Sequence, residues 1–302
     1  MAKTKFLSKI GNVRFPNPFL LASGVVGNSF EELKYALDSG AGGIITKSVG
    51  LEAREGYPPP NIVKVEGGLL NAIGLSNPGV NVIKTKLIDI VDILPYTIVS
   101  IFGSGPEEYS QIVRSLDDIS IAGYELNLSC PHVKGTGIDI GHDPALVFDI
   151  VRQVRDSTKK LVIAKLSPNT EKIVEVARQA ERGGADALTV INTVRALDID
   201  IISQRPSLSN VYGGLSGTAI KHIALRCVYE LYGKVNIPLI GCGGIARWDD
   251  AIRFFLAGAT LIQIGTAYVT DRTVFKDVIK GVEEYLKQKE FDSYTSIVGL
   301  AH

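Results

Sequence analysis

A run of residues whose side chains could carry out a reaction lies near the middle of the chain: Tyr124-Glu125-Leu126-Asn127-Leu128-Ser129-Cys130-Pro131-His132. It begins as an alternating apolar stretch typical of a short strand and ends on an amide, a hydroxyl, a thiol and an imidazole. Glycines and charged residues follow over 133–142. A thiol at a strand end that opens a glycine-rich loop can act as a base or nucleophile on a rigid support. A small buried cysteine that closes a core strand is the alternative.

Other candidate residues also come directly after apolar runs. Lys47 and Lys165 each end such a run, and Asn192-Thr193 ends another. A lysine near a thiol favours the thiolate, and amides suit a polar ring. Three glycine segments could bind a phosphate through backbone N–H groups: Ser216-Gly217, Gly243-Gly244 and Gly265-Thr266. The alternative for the two lysines is that they are solvated charges at the protein surface, and the alternative for the glycine segments is that they form tight turns between strands and helices.

The elements that position these residues are predicted as eight short, largely apolar strands that alternate with amphipathic helices. Helix starts are indicated by Ser29 before Glu31-Glu32 and by Asp143-Pro144. The predicted strands are Phe19–Gly24, Gly43–Ser48, Thr97–Ile101, Tyr124–Asn127, Leu161–Lys165, Ala187–Asn192, Pro238–Cys242 and Leu261–Gly265.

This alternation predicts an α/β fold, a (β/α)8 TIM barrel formed by a single domain over residues 1–302. Residues 51–95 interrupt the rhythm and are predicted to be an inserted covering segment after the second strand. Long loops are predicted after the fourth strand and, from Thr193 to Ser216, after the sixth. A doubly wound sheet is the rival, but no G-x-G-x-x-G joins the first strand to a helix. In a barrel, all the strand-end residues above face one cavity.

The charge balance and the counts of cysteine and histidine exclude several classes of function. Lys+Arg and Asp+Glu are both 32, which gives no electrostatic reason to expect a nucleic acid or a membrane as partner. The 3 cysteines form neither a disulfide framework nor a C-x-x-C pair, and the 4 histidines match no metal-binding motif. We expect a cytoplasmic protein without a metal, and a barrel enzyme with a phosphate-bearing cofactor. A Schiff-base aldolase that uses Lys47 or Lys165, or a barrel that acts only as a docking subunit, stays open.

Several motifs together resemble the class 1B dihydroorotate dehydrogenase catalytic subunits. They occur in the expected order over nearly the whole chain: Asn71-Ala-Ile-Gly-Leu-Ser-Asn-Pro-Gly79, Asn127-Leu-Ser-Cys-Pro131, Ile191-Asn-Thr193, Tyr212-Gly-Gly-Leu-Ser-Gly-Thr-Ala-Ile-Lys221, Cys242-Gly-Gly-Ile245 and Gln263-Ile-Gly-Thr266. The resemblance implies an FMN-containing barrel that oxidises dihydroorotate to orotate in pyrimidine synthesis.

The resemblance also implies roles for individual residues. Cys130 would take the C5 proton, while the C6 hydride passes to FMN. FMN would be bound by Ser23, Lys47, Ser48, Asn127, Lys165, Ile191, Gly217, Gly243, Gly244, Gly265 and Thr266. Substrate would be bound by Lys47, Asn71, Ala72, Ile73, Gly74, Leu75, Asn127, Asn192 and Thr193.

A partner is implied as well: a companion subunit with FAD and a [2Fe-2S] cluster that passes electrons to NAD+, assembled with a homodimer of this chain into a heterotetramer. The chain departs from the family at His132 and Ser100, where Asn is usual. With His132, the run Ser129-Cys-Pro-His132 resembles the Ser-Cys-Pro-His run of dihydropyrimidine dehydrogenase. Reduction of uracil or thymine is therefore the runner-up function. A fumarate-linked class 1A dihydroorotate dehydrogenase is a further alternative.

Overall fold

A computed structural model of the chain describes residues 5–25, 29–129 and 140–302. The first strands, β1 (Ser8–Ile10) and β2 (Val13–Phe15), form an antiparallel hairpin. Ile10 and Phe15 are buried against residues from the amino-terminal ends of the barrel strands, among them Leu161 and Ala187. The hairpin therefore closes the amino-terminal end of the barrel with apolar side chains, and a ligand has to approach from the opposite end.

Eight parallel strands close into a barrel in the order of the chain. This arrangement confirms the predicted TIM barrel, because each strand pairs with its sequence neighbour and the last pairs with the first. The barrel strands are β3 (Phe19–Leu21), β4 (Gly43–Ile45), β7 (Thr97–Ile101), β8 (Gly123–Asn127), β9 (Leu161–Leu166), β10 (Ala187–Val190), β15 (Leu239–Cys242) and β16 (Ala259–Ile264). The remaining strands lie in the inserted segments.

The helices surround the barrel and bury one apolar face each against it. They are α1 (Phe30–Asp38), α2 (Val80–Ile88), α3 (Pro106–Leu116), α4 (Pro144–Ser157), α5 (Ile173–Gly183), α6 (Lys221–Leu231), α7 (Trp248–Leu256), α8 (Thr266–Thr270) and α9 (Val274–Gln288). On α6, Ile223 is exposed although it is apolar, and Ala224 occupies the buried position. The short α8 was not predicted. Among the described helices, none combines the length and apolar composition that crossing a membrane would require.

Two predicted helix starts are confirmed by their capping hydrogen bonds. The Ser29 hydroxyl accepts from the Glu32 backbone N–H at 3.3 Å at the start of α1. The Asp143 carboxylate accepts from the N–H groups of Ala145 and Leu146 at the start of α4, with Pro144 in the first turn. Capping satisfies N–H groups that have no partner inside the helix, so these local signals fix where the helices begin.

The predicted covering segment after the second barrel strand contains regular secondary structure. It comprises the hairpin β5 (Ile62–Val65) and β6 (Gly68–Asn71), and it also contains α2, which is the barrel's second helix. The sequence pattern did not distinguish α2 from the insertion, since its apolar positions Val80, Ile83 and Leu87 lie among many other apolar residues.

The segment from Thr193 to Ser216, predicted as a loop, contains four short strands. They are β11 (Val194–Ala196), β12 (Ile199–Asp200), β13 (Arg205–Pro206) and β14 (Gly213–Ser216). β14 pairs with both β11 and β6, giving a four-stranded sheet in the order β11-β14-β6-β5. Because β11 comes shortly after β10, this sheet stands on the carboxyl-terminal end of the barrel. A small apolar cluster of Leu70, Ala72 and Leu208 joins β6 to the segments beside the sheet.

Candidate active site at the carboxyl end of the barrel

A series of hydrogen bonds links residues at or near the carboxyl-terminal ends of β4, β7, β8 and β10 at the open end of the barrel. The hydroxyls of Ser48 and Ser100 lie 2.9 Å apart, and the Asn127 amide nitrogen donates to Ser48 at 3.2 Å. Asn192 in turn donates to the Asn127 amide oxygen at 3.1 Å. This series of hydrogen bonds brings together Ser48, Asn127 and Asn192, which were predicted to bind ligand from separate parts of the sequence, and adds Ser100. It also fixes which way the Asn127 amide faces. We call these four residues the polar rim.

Lys47 stands next to the polar rim and is half-buried. Within the part of the chain that the structure describes, it forms no ion pair with a carboxylate. Burial lowers the pKa of Lys47 because the charged form loses water. A partly desolvated, unpaired cation is a strong attractor for an anionic group of a ligand.

Lys165 lies deeper, inside the barrel, opposite Asn127 in the register of β8 and β9. Its ammonium nitrogen is 3.4 Å from an oxygen of Glu125 and 3.3 Å from the amide oxygen of Gln263. Glu125 and Gln263 are both buried, and the sequence analysis gave neither of them a role. The only sequence signal was a polar residue inside an otherwise apolar strand.

The three glycine segments predicted to bind phosphate lie together. The Thr266 hydroxyl donates to the Ser216 hydroxyl at 2.8 Å, which joins the segments of Gly265 and Gly217. Gly244 packs so closely on Lys221, at the start of α6, that a Cβ on Gly244 would lie 2.7 Å from the Lys221 Cβ. The φ angles of Gly243 (+130°) and Gly244 (+73°) also favour glycine.

These segments offer unused hydrogen-bond donors. Within the described ranges, the backbone N–H groups of Gly243, Gly244 and Thr266 donate to no acceptor of the protein. A Cβ on Gly265 would meet only ordinary contacts, with Ala22 at 3.4 Å and Val25 at 3.6 Å. Free backbone N–H groups on glycine segments are the kind of donor that a phosphate requires.

The predicted substrate segment, Asn71 to Leu75, runs from the end of β6 into a turn. The Asn71 amide donates to the Gly214 carbonyl at 3.0 Å, so the segment is attached to β14 and lies over the same end of the barrel. Ala72 is buried, while Ile73, Gly74 and Leu75 are half-buried. Gly74 and Leu75 have φ angles of +71° and +59°, which give the segment its tight turn.

Asn77, to which no role was assigned, holds this turn in place. Its buried amide oxygen accepts from the N–H groups of Gly50 and Gly79, at 3.1 Å and 2.9 Å, and its amide nitrogen donates to the Leu75 carbonyl. Since Gly50 lies just beyond Lys47, Asn77 ties the substrate segment to the end of the second barrel strand.

The remaining predicted residues lie at the same end. Thr193 follows Asn192, whose amide oxygen accepts from the Thr193 N–H at 2.8 Å, and Ile191 is buried beside them. The Ser23 hydroxyl donates to the Thr46 carbonyl, which joins the ends of β3 and β4. Cys130 and His132 lie outside the described residues. No group of three potential metal-binding side chains occurs within the described ranges.

Comparison with known proteins gives a consistent picture. The profile of the family described as "Dihydroorotate dehydrogenase" matches residues 5–286. A protein of Pyrococcus horikoshii, named "Dihydroorotate dehydrogenase B (NAD(+)), catalytic subunit", is 50% identical over 302 residues, covering 100% of this chain and 99% of its own length. Proteins with the same name from Pyrococcus furiosus (48% identical, 96% of each chain) and Methanothermobacter thermautotrophicus (43% identical, 98% of each chain) are also similar.

Proposed function

The chain belongs to the dihydroorotate dehydrogenase family, and from this premise we propose that it oxidises dihydroorotate to orotate in pyrimidine synthesis with FMN as its cofactor. The observation that carries the proposal is the end-to-end similarity to catalytic subunits named for this reaction. The geometry of the site agrees with it, because a cation, paired amides and free N–H donors meet at one end of the barrel.

The residues present fit FMN. The free N–H groups of Gly243, Gly244 and Thr266 suit its phosphate, and the polar rim and the two lysines suit its polar ring edges. When bound, FMN supplies the acceptor for the hydride that leaves C6 of the substrate. The residues proposed to hold it are Ser23, Lys47, Ser48, Asn127, Lys165, Ile191, Gly217, Gly243, Gly244, Gly265 and Thr266.

The chain also supplies groups for the substrate. Dihydroorotate carries a carboxylate on a ring with alternating N–H and C=O groups. Lys47 provides a positive charge for the carboxylate, and the amides of Asn127 and Asn192 each offer a donor and an acceptor to the ring. Asn71, Ala72, Ile73, Gly74, Leu75 and Thr193 complete the proposed substrate contacts.

Cys130 is the proposed base that removes the C5 proton. In the sequence it comes three residues after Asn127, which is the last residue of β8 and a member of the polar rim. Positively charged lysines at the same end of the barrel favour the thiolate, which is the form that can accept a proton.

The names of the relatives support a further step of the proposal. A companion subunit with FAD and a [2Fe-2S] cluster would take the electrons to NAD+, and two copies of this chain would form the core of a heterotetramer. We further assign the whole chain to one catalytic domain in the cytoplasm. The ends of the chain support one domain, because the Tyr294 hydroxyl donates to Ser8 at 2.9 Å.

Anaerobic substrate addition tests this function. The purified yellow protein is mixed with dihydroorotate and, separately, with dihydrouracil, while the flavin absorbance is followed. We expect dihydroorotate to bleach the flavin and dihydrouracil to leave it unchanged. The reverse result would make the chain a dihydropyrimidine dehydrogenase, and a protein that takes up no FMN would refute the proposal altogether.

The role of Cys130 is tested in the same assay. Cys130→Ala should keep the yellow colour but lose nearly all bleaching by dihydroorotate, because the proton on C5 then has no acceptor. Cys227→Ala is the matched control, since Cys227 is buried in α6 away from the polar rim and its loss should leave bleaching intact. Undiminished bleaching by the Cys130 variant would remove its assigned role.

A further inference from the structure

Four polar side chains form a layer across the inside of the barrel, directly under the polar rim. They come from β8, β9, β10 and β16, and all are buried: Glu125, Lys165, Thr189 and Gln263. Below them the interior is apolar, with Leu20, Ile45, Ile98, Ile163 and Ile240. A charged layer between an apolar core and a ligand site needs an explanation, because buried charges are costly unless they are paired.

Glu125 is the centre of this layer. One of its carboxylate oxygens accepts from the Gln263 amide at 2.6 Å and from the Thr189 hydroxyl at 2.8 Å, while the other faces Lys165 at 3.4 Å. Because the Gln263 nitrogen is committed to Glu125 and Thr189, its oxygen must face Lys165. Lys165 is therefore held between two acceptors from different strands.

Both contacts of Lys165, the ion pair with Glu125 and the hydrogen bond to Gln263, are long. Charge-assisted N–H···O bonds are usually about 2.7–2.9 Å long, whereas these are 3.4 Å and 3.3 Å. An ammonium group has three N–H donors, and the described residues accept two of them. The third donor, and much of the charge, remains for a ligand on the side of Asn127, the register neighbour of Lys165.

The protonation of Lys165 depends on Glu125. Burial alone lowers the pKa of Lys165, but the charge of Glu125, the hydrogen bond to Glu125 and, once its thiol ionises, Cys242 outweigh burial, so the pKa of Lys165 lies above the ordinary value. Burial raises the pKa of Cys242, so this thiol keeps its proton to a higher pH than an ordinary cysteine. Thr189 and Gln263, the other neighbours, do not titrate.

We propose that Glu125 is a positioning residue which, with Thr189 and Gln263, keeps Lys165 charged and aimed at the FMN site from inside the barrel. The fixed positive charge would stabilise the negative charge of the reduced flavin. This inference rests on the proposed function for the identity of the ligand. The pairing of Glu125 with Lys165 does not depend on that function and is tested separately.

The first test needs no cofactor. In Glu125→Gln, Lys165 stays buried without its counter-charge, so its pKa should fall below the ordinary value. The native variant then binds fewer protons than the unfolded chain at alkaline pH, and its stability relative to the parent should rise with pH. Urea unfolding of the full chain from pH 6 to pH 10 should show the ratio of variant to parent unfolding constants falling, by at most about tenfold per pH unit.

Two controls isolate this effect. Glu107→Gln makes the same change at an exposed ion pair with Arg114 and should give a ratio independent of pH over this range. Cys242→Ala in both backgrounds removes the other titrating neighbour, and the pH dependence should survive it. A flat ratio for Glu125→Gln would overturn the pairing. If that variant does not fold, the single variants Glu125→Asp and Lys165→Met replace it. The pKa of Lys165 lies above the ordinary lysine value of about 10.4, so the parent and the Asp variant should lose stability as the pH rises above that value, whereas the Met variant should not show this loss.

The second test addresses the cofactor. The midpoint potential of bound flavin in Glu125→Gln, relative to the parent, should fall from pH 6 to pH 9 as Lys165 loses its proton. A fall of ~30 mV would correspond to a tenfold weaker preference for reduced flavin in a two-electron couple. Glu125→Asp, which keeps the charge, should show no such fall, and the fall should disappear in a Lys165→Met background.

The outcomes are distinguishable. A potential difference that does not change with pH, in a variant that passed the unfolding test, would overturn the role of Lys165 toward flavin. A protein that passes the unfolding test but binds no FMN would refute the proposed function and the cofactor role, and leave only the Glu125–Lys165 pairing.

Discussion

Asn127 joins the two halves of the polar rim through a single side chain. Its amide nitrogen donates to Ser48, and its amide oxygen accepts from Asn192 and from the Ser129 N–H. A carboxamide has two N–H donors, and the residues that the structure describes accept one of them, so one is left over for a ligand there. One residue thus fixes both the orientation of its neighbours and a direction of ligand contact.

Lys47 should determine substrate affinity. Lys47→Ala should raise KM for dihydroorotate roughly 10- to 100-fold, because a hydrogen bond to a charged group contributes about 1.5–3 kcal/mol. KM is measured with a dye as electron acceptor. Lys34→Ala is the control, since Lys34 forms an exposed ion pair with Asp92. An unchanged KM in Lys47→Ala would exclude a substrate contact.

The pH dependence of KM should report the same residue. Burial lowers the pKa of Lys47, so its charge is present below that pKa and lost as the pH rises through it. KM should therefore rise toward alkaline pH, and the rise should begin below the pKa of about 10.4 of an ordinary lysine. Lys47→Arg keeps its charge and should show a flatter curve. A parent KM that is constant up to pH 10 would contradict this assignment.

At the scale of elements, the covering segment is joined by backbone pairing to the candidate site. Its strand β6 pairs with β14, and β14 leads directly into Gly217, so one short sheet links the predicted substrate segment to the predicted phosphate segment. Gly68 and Gly217 make this pairing possible, because a Cβ on Gly68 would lie 1.7 Å from the Ser216 carbonyl oxygen.

Asn77 should hold this element on the barrel. Asn77→Ala would leave the buried N–H groups of Gly50 and Gly79 without their acceptor, and each such group costs about 1–3 kcal/mol. We expect a lower free energy of unfolding in urea and a higher KM for dihydroorotate, because the turn at Leu75 is released. Asn81→Ala, an exposed change on α2, should alter neither. A variant with unchanged stability and an unchanged KM would show that the turn keeps its conformation without the Asn77 side chain.

At the scale of the whole molecule, the two ends of the barrel have different tasks. The amino-terminal end is filled by the β1–β2 hairpin and apolar side chains, while the carboxyl-terminal end carries the polar rim, the lysines and the glycine segments. Stability and chemistry are thereby separated along the barrel axis, as is usual for this fold.

Phe15→Ala tests this separation. Phe15 is completely buried at the closed end, and deletion of a buried phenylalanine costs about 3–5 kcal/mol. The free energy of unfolding in urea should fall by about this amount, while kcat at a temperature where the variant is folded stays the same. Arg14→Ala, on the exposed side of the same strand, should change neither quantity. A large loss of kcat in the folded Phe15 variant would show that the two ends are coupled.

The sequence by itself determined the barrel, most strand ends and the helix caps at Ser29 and Asp143. These are local signals: apolar strand runs, capping side chains and glycine turns act within a few residues of each other. It also predicted that Lys47, Asn127, Lys165 and Asn192 would share one face, because the strand ends of a barrel converge, and the structure brings them together there.

Only the tertiary structure decided the rest. The role of Glu125 depends on Thr189 and Gln263, which are 64 and 138 residues away in the chain, so no local pattern could mark it. The sheet over the barrel mouth joins Asn71 to Gly214 across 143 residues. Its strands are too short for a reliable alternation, and their pairing depends on the closed barrel that brings β6 and β14 together.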